Sequence, residues 1–506
     1  MDKIAEELIK SKIETLKDID SFRKSLAKKL KISTVSNVDL IKAYHKIPLS
    51  KRNKNLKNLL VKKRIRSLSG VSVVSVLTKP YPCPGKCIYC PSEKGMPKSY
   101  LSNEPAVMRA ILNSFDPYKQ TSSRLKALKM AGHNTDKIEL IVIGGTWSYL
   151  PQKYQKWFIK RCFEACNNKK SKTLLEAQRK NEKSKQRMIG LTLETRPDFI
   201  TKEEVEFMRN LGATRIELGV QSTDENVLMH NKRGHKRKEI IEATKILKDA
   251  GFKICYHIMP NLFKSTLKKD IEIAKEIFNN HNFRPDMIKI YPCAIIKGTP
   301  LYKKWEKKEY FPYSEKDLIY LLKETKKEVP KYCRIQRLIR DIPSQSIIEG
   351  PAKISNLRQI IKKEAEKEGW KCKCIRCREV KENYNPKEKL FLFRENYDAS
   401  EGKEIFLSFE NKNQEKLYSL LRLRIKDNFA IIREVHTYGR VHSLLKGKDI
   451  SPQHKGLGKK LIKEAEKIAK KEFKAKKISV ISGVGVRDYY RSLGYKLENT
   501  YMVKPL

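Results

Sequence analysis

From Val71 onward, short apolar runs rich in β-branched residues alternate with amphipathic segments, and this alternation narrows the possible folds more than any other feature of the chain. The runs are Val71–Leu77, Ile138–Ile143, Met188–Leu193, Thr214–Val220, Phe252–Ile258 and Met287–Tyr291. Between them lie segments with helical spacing, such as Glu203–Leu211, Lys238–Ala250 and Leu267–Phe278. Strand and helix alternating six times predict a parallel sheet with right-handed crossovers. The expected fold is α/β, with an open, partial (β/α)6 barrel over residues 71–330. Ligands then belong at the C-terminal ends of its strands.

The pattern changes near Lys387. Strands are expected at Lys389–Arg394, Glu404–Phe409, Leu417–Arg424, Phe429–Val435 and Ile478–Ile481, with helices at Gly456–Glu472 and Asp488–Leu493. A second α/β domain over 387–506 follows, and 331–386 form a connector. Residues 1–70 are polar, basic and helical in spacing, with Ile4, Leu8, Ile9 and Ile13 on one face. Positive charge concentrates at Lys51–Lys57 and Lys62–Arg64. The Lys-rich stretch Asn167–Arg187 reads as an exposed loop or helix on the barrel. Lys and Arg number 109 against 58 Asp and Glu, a net charge of +51. Such a chain repels itself unless a polyanion relieves it, and nucleic acid is the obvious one; a generally Lys-rich proteome is the alternative. No apolar run of about eighteen residues exists to cross a membrane. The start of the chain lacks a signal pattern, so a cytoplasmic protein is expected.

In that compartment the eleven cysteines read as metal ligands or buried thiols rather than disulfides. Cys162, Cys166, Cys255, Cys293 and Cys333 are expected in cores. Cys83, Cys87 and Cys90 follow the first strand with spacing C-x3-C-x2-C. Three thiolates hold three irons of a [4Fe–4S] cluster and leave one iron open. An open iron can bind S-adenosylmethionine (SAM), whose reductive cleavage gives a 5′-deoxyadenosyl radical. Other strand ends agree. Gly144, Gly145 and Thr146 end the second strand, where small residues allow close approach to SAM. Glu194 and Arg196 end the third and Gln221 the fourth, with Arg196 and Gln221 aimed at SAM.

A second triad, Cys372, Cys374 and Cys377, lies in the connector. Closed tetrahedral zinc needs a fourth ligand; His45 and His133 are both open choices, and free thiols are the alternative. Near the C-terminus, Gln453, His454, Lys455, Gly456 and Gly458 open a helix as Q-x-x-G-x-G, a pattern similar to the pyrophosphate loop of GNAT acetyltransferases that bind acetyl-CoA. Tyr489 and Tyr490 follow at a distance suited to the thioester.

Together these features resemble the catalytic subunit family of Elongator, including its stand-alone archaeal members, from about Ser69 to Pro505. The resemblance is carried by Tyr100–Pro105, Asn231–His235, Arg337–Pro343, Ile478–Val486 and Tyr501–Lys504. It implies a radical SAM domain joined to a GNAT domain. By the same resemblance, acetyl-CoA is expected to lose a methyl hydrogen to the deoxyadenosyl radical, the carbon radical to add to carbon 5 of the wobble uridine in the tRNA anticodon stem-loop, and thioester hydrolysis to leave 5-carboxymethyluridine. It further implies that Lys137 contacts acetyl-CoA from the radical domain. Glu434, Val435, His436 and Thr437 pair with the pantetheine arm, Gln453, His454 and Gly456–Gly458 hold the phosphates, and Tyr489 and Tyr490 stand at the thioester, Tyr490 foremost. Lys289 and Tyr291 face the radical site. Some members carry zinc at the second triad. An external electron donor is required, and a homodimer is compatible with the sequence. The first two cluster cysteines have the short archaeal and bacterial spacing, and the loop after Gly439 is shorter than in eukaryotic members. The rivals are a protein lysine acetyltransferase with a structural cluster and a tRNA-binding scaffold with degenerate chemistry.

Overall fold

The computed structural model describes residues 2–53, 56, 59–61, 69–354, 356–381, 385, 387–439 and 456–506. Seven parallel strands form the first sheet in chain order: β1 (Val71–Leu77), β2 (Lys137–Ile143), β3 (Arg187–Thr195), β4 (Arg215–Gln221), β5 (Lys253–Ile258), β6 (Met287–Ile290) and β7 (Arg334–Arg337). Each strand pairs with the next in parallel, so every connection is a crossover and the sheet is an open half-barrel. Six strands were expected. The seventh falls inside residues 331–386, read as connector. It is Arg-Ile-Gln-Arg at the sheet edge, with one apolar residue, so hydrophobic periodicity cannot reveal it.

Within this sheet the pleat sorts residues by period two. Val74, Leu140, Ile216, Leu218 and Ile254 are fully buried toward the helices. The alternate residues Glu139, Arg215, Glu217, Lys253, His257 and Lys289 face the bore. The barrel interior is therefore charged, and its charges must pair.

The second sheet runs β13-β14-β12-β11-β10-β9-β8. Its strands are β8 (Phe391–Ala399), β9 (Gly402–Glu410), β10 (Leu417–Lys426), β11 (Phe429–Thr437), β12 (Lys477–Val480), β13 (Lys496–Glu498) and β14 (Tyr501–Pro505). All neighbours are antiparallel except β11 and β12. The closing hairpin β13–β14 was not among the expected strands; β13 is three residues long and exposed throughout.

The two domains meet through buried charge. Arg433 bridges Asp286 at 2.5 Å and Glu404 at 2.8 Å, and Arg424 reaches Asp249 at 2.5 Å. Close backbone packing adds to this: a Cβ on Gly483 would lie 2.0 Å from the Ile189 carbonyl oxygen, so no larger residue fits there. The Lys-rich stretch is not simply exposed. Its helix Leu174–Glu182 buries Ala177, Gln178, Asn181 and Glu182, and Glu182 holds Arg487 at 3.0 Å and Arg491 at 2.7 Å across the interface.

Helices Asp2–Lys10, Leu16–Leu30 and Asn37–Lys46 bury Leu8, Leu26, Leu40 and Leu60 in a core of their own. Capping boxes at Thr15/Asp18 and Ser36/Asp39 start the second and third helices. Of the basic stretches named above, Lys62–Arg64, Lys54 and Lys57 lie outside the described residues. Among the described residues no helix is long and apolar enough to cross a membrane.

Candidate active site

The loop after β1 carries Cys83, Cys87 and Cys90 and curls around Gly85. A Cβ there would sit 3.6 Å from the sulfurs of both Cys83 and Cys87 and 2.5 Å from Arg196 Nη1. Thr146 Oγ1 lies 3.6 Å from Cys83 Sγ, and Arg233 Nη1 donates to Cys87 Sγ at 3.6 Å. Burial, with the neighbouring Cys87 and Cys83 sulfurs adding, pushes the Cys90 thiol up to about 11. Among the described residues, the ligand-type trios whose donor atoms all fall within 4.8 Å are Cys372/Cys374/Cys377 and Glu217/Cys255/His257. The first cysteine triad is spread wider, as a multi-iron cluster requires and a single ion does not.

Beside the triad, the backbone is shaped for close approach. Gly144 and Gly145 have φ of 131° and 89°, and a Cβ on Gly144 would lie 2.1 Å from Thr78 Oγ1. Arg196 is held by Asp198 at 2.9 and 2.7 Å, which leaves its Nη1 buried without a partner. Gln221, at φ 70°, likewise has a buried, unpartnered Oε1. Each such orphan costs about 1–3 kcal/mol, and both side chains line the cavity. The donor set and these open polar atoms fit a cluster with SAM.

Deeper in the bore, Glu217 is fully buried and ion-paired to Lys289. His257 Nε2 lies 2.8 Å from the same carboxylate oxygen, and Arg215 Nη2 lies 3.5 Å from the other. Burial would raise the Glu217 pKa, but Lys289, His257 and Arg215 outweigh it and hold the group well below the usual carboxylate range. Lys289 also reaches Glu194 at 3.6 Å, and Tyr100 OH donates to Glu194 at 3.1 Å. Burial lifts the Glu194 pKa; Lys289 opposes and Glu217 adds to the rise. Lys289 is thus locked in a pair rather than free in the cavity. Arg233, Glu217, His257 and Tyr100 also line this cavity, with no role expected of them from the sequence.

The opposite end of the bore meets the second domain. Lys253 Nζ lies 3.3 Å from Glu434, which Arg422 holds at 2.8 Å. β11 pairs with β12 only from Ala430 to Ile432; past that point the strands part and the Arg433–Thr437 edge faces the cavity. The His436 and Tyr438 rings lie 4.3 Å apart, tilted by 40°, and the buried His436 Nε2 has no partner. Burial pushes its pKa down to about 4. Gly456, at φ 67°, opens the helix Leu457–Lys471. A Cβ on Gly458 would lie 3.6 Å from Tyr489 OH, 3.7 Å from Thr437 Oγ1 and 3.8 Å from Val435 Cγ1. The Tyr489 and Tyr490 rings are 5.3 Å apart, edge to face. Lys137, at the start of β2, lines the same end, its pKa lowered by burial and by Arg187. Gln453, His454 and Lys455 lie outside the described residues.

Both ends open into one cavity of about 2110 Å³, lined by Cys83, Cys87 and Cys90 at one end and by Lys137, Gly458 and Tyr490 at the other. The connector triad stands apart. Cys372, Cys374 and Cys377 bring their sulfurs together, and neither His45 nor His133 belongs to that group.

Residues 81–277 match the radical SAM superfamily and 285–367 match the radical SAM C-terminal domain. The chain is 47% identical over 470 residues to the tRNA uridine(34) acetyltransferase of Methanocaldococcus infernus, covering 88% of each. It is 40% identical to Elongator complex protein 3 of Bos taurus, covering 88% of this chain and 86% of that one. The structure of the archaeal Methanocaldococcus infernus Elp3 with an N-terminal deletion (1–46) superposes with a TM-score of 0.77 at 44% identity, over 87% of this chain and 100% of that one. The chain belongs to the radical SAM superfamily and, within it, to the family of the tRNA uridine(34) acetyltransferases and Elongator complex protein 3.

Proposed function

We propose that this chain converts the wobble uridine of tRNA to 5-carboxymethyluridine, taking the two new carbons from acetyl-CoA. The observation that carries the reading is the single cavity shared by the Cys83/Cys87/Cys90 loop and the Gly458–Tyr490 end. When bound, a [4Fe–4S] cluster with SAM supplies a 5′-deoxyadenosyl radical, and acetyl-CoA supplies the acetyl methyl.

The chain's own residues divide the remaining work. Gly144, Gly145 and Thr146 shape the SAM pocket, and Arg196 Nη1 and Gln221 Oε1 offer it polar atoms without other partners. Arg233 keeps a positive charge against Cys87. Glu217 and Lys289 hold each other ionised inside the bore. Glu194, held by Tyr100 and Lys289 at the end of β3, borders the SAM pocket from the same side as Arg196. At the other end, the free edge of Glu434–Thr437 orients a pantetheine arm. The N-terminus of the helix Leu457–Lys471 faces the phosphates, together with Gln453, His454 and Lys455. Lys137 steadies acetyl-CoA from the barrel side. Tyr490, whose phenol burial keeps protonated, stands near the thioester with Tyr489. Zinc on Cys372, Cys374 and Cys377 would clip the connector to the barrel. Residues 1–70 form the tRNA-docking region beside a barrel domain that runs from residue 71 through β7 and a second domain at 387–506. The reaction belongs in the cytoplasm.

The test is anaerobic reconstitution of the cluster, addition of tRNA, SAM and acetyl-CoA, and nucleoside analysis by mass spectrometry. Carboxymethyluridine is expected. Acetyl-lysine without the modified nucleoside would sink the reading.

A further inference from the structure

Reduction of the cluster needs an electron from outside the chain, and the cluster loop has an outer face that the active-site cavity does not use. Cys83, Gly85 and Cys87 line the cavity, whereas Lys79, Tyr81, Lys86 and Tyr149 do not. Lys79, Pro82, Pro84 and Lys86 are exposed along the loop itself. Beside them run Lys153 and Lys156, exposed on the helix Gln152–Asn167. Among the described residues none of these four lysines makes an ion pair. Lys79 and Lys156 instead lie over aromatic rings, at 4.9 Å from Tyr154 and 5.5 Å from Phe207. Asp116, within electrostatic range of Tyr154, caps the following helix by accepting from the Lys119 N–H at 2.7 Å.

Aromatic rings interleave this charge. Tyr81 and Tyr149 meet edge to face at 6.0 Å, Tyr149 meets Phe199 at 5.9 Å, and Tyr154 meets Trp157 at 5.5 Å. Tyr149 and Trp157 are each 41% exposed. Glu203 and Glu206, on the helix that carries Phe207, are exposed as well, so the rim is lysine-rich rather than of one sign. Exposed tyrosine and tryptophan within such a rim are the composition of a protein-binding surface. The surface also leads to the metal site by short covalent paths. Tyr81 is two residues from Cys83. Tyr149 ends the turn Trp147–Tyr149, which starts at Thr146, and Thr146 Oγ1 is 3.6 Å from Cys83 Sγ.

We propose that this face docks a small acidic one-electron carrier of the flavodoxin class, with its flavin edge over Tyr81 and Tyr149. The anionic flavin hydroquinone gives up one electron and becomes the neutral semiquinone, with no proton moved; the cluster accepts that electron and its charge falls by one. The inference rests on the reading that Cys83, Cys87 and Cys90 hold a [4Fe–4S] cluster. A tRNA contact is the competing use of the same lysines, but tRNA must reach the cavity that this face does not line.

The experiment uses the full-length reconstituted protein and an acidic flavodoxin reduced to the hydroquinone. Stopped-flow absorbance gives the second-order rate of cluster reduction, with dithionite as a small-molecule control. For wild type the flavodoxin rate should fall steeply with salt. In a variant carrying Lys79→Glu, Lys86→Glu and Lys156→Glu it should drop about tenfold or more at low salt and lose most of its salt dependence. Dithionite reduction and tRNA affinity should stay within about twofold. Lys→Gln changes at the same positions should give an intermediate loss. An unchanged flavodoxin rate overturns the proposal, as does a parallel loss of tRNA affinity, which would make the face a tRNA contact. A wild-type protein with no dithionite-reducible cluster would instead bring down the underlying cluster reading.

Discussion

The two ends of the cavity are built from different materials. At the cluster end, side chains do the work: three sulfurs, the Arg196 and Arg233 guanidinium groups, and the ion-paired Glu217–Lys289 core. At the thioester end, the main features are backbone and space: a strand edge freed where β11 leaves β12, glycines at the helix entry, and neutral aromatic rings. The first design concentrates charge in a low-dielectric bore, where each ion depends on its partner. The second leaves room for a long flexible ligand. A side-chain change should therefore be costly at the first end and graded at the second.

The largest effect is expected from Cys87→Ala, which should reduce carboxymethyluridine formation by about a thousandfold or more. Affinity for tRNA should stay within about twofold, since this sulfur is a small buried group on the cavity wall beside Arg233, away from the outer surface. Nucleoside mass spectrometry and filter binding measure the two. Product formation near the wild-type level would show that the triad is structural.

Lys289→Met comes next. It removes one partner of a pair whose side chains are 8% and 0% exposed. Breaking such a pair costs about 3–5 kcal/mol at most, since the buried carboxylate then keeps only His257 and Arg215 as partners. Denaturant unfolding should show that loss, and Glu217→Gln combined with Lys289→Met should recover much of the stability without recovering activity. Equal instability of single and double variants would mean that the charges do not depend on each other.

These residues also mark what the sequence could and could not reveal. The cysteine triads were legible because each is packed into a few residues. The strands β1 to β6 were legible because buried strands leave continuous apolar runs. Glu217, Arg215 and His257 carry no local signature, and only the fold brings them to one point. A signal did exist. β4 is buried along nearly its whole length yet holds charges two apart, at Arg215 and Glu217, and β5 places Lys253 and His257 four apart on one face with Cys255 between them. Charges at period two in strands otherwise fit for a core announce a charged bore. β7 escaped because an edge strand of four residues needs almost no apolar content. Arg233 escaped for another reason: its partner Cys87 lies 146 residues away in the chain.

At the thioester end, glycine substitutions should give a graded response. The Cβ position of Gly458 lies 3.6–3.8 Å from its neighbours, which is ordinary contact, so Gly458→Ala should bind acetyl-CoA within about threefold of wild type. Gly458→Val should fill the space between Tyr489, Thr437 and Val435 and weaken binding about tenfold or more, with the cluster's reducibility unaffected. Calorimetry on both variants reads the step. An all-or-none loss already at alanine would erase the contrast between the two ends.

The smallest effect is a dependence on pH. Burial lowers His436 from an ordinary 6.5 to about 4; Glu434 opposes this and Arg334 adds to it, so the ring is neutral in the fold. Between those two values the unfolded chain binds a proton that the folded chain does not, so this residue's contribution falls as pH drops from 6.5 toward 4. Glu434 acts in a lower window. Burial alone would raise its pKa, but Lys253 and Arg422 bring it from 4.5 to about 2. Its stabilisation is present above pH 4.5 and is lost as pH falls toward 2. Urea unfolding at pH 7.0 and 5.5 should thus separate the two groups. His436→Gln should flatten the change across that interval, which is bounded by about 1.4 kcal/mol for one pH unit below 6.5, while Glu434→Gln should leave the slope there unchanged. If His436→Gln leaves the slope as steep as in wild type, the ring is not held neutral, and the thioester end is more polar than its geometry indicates.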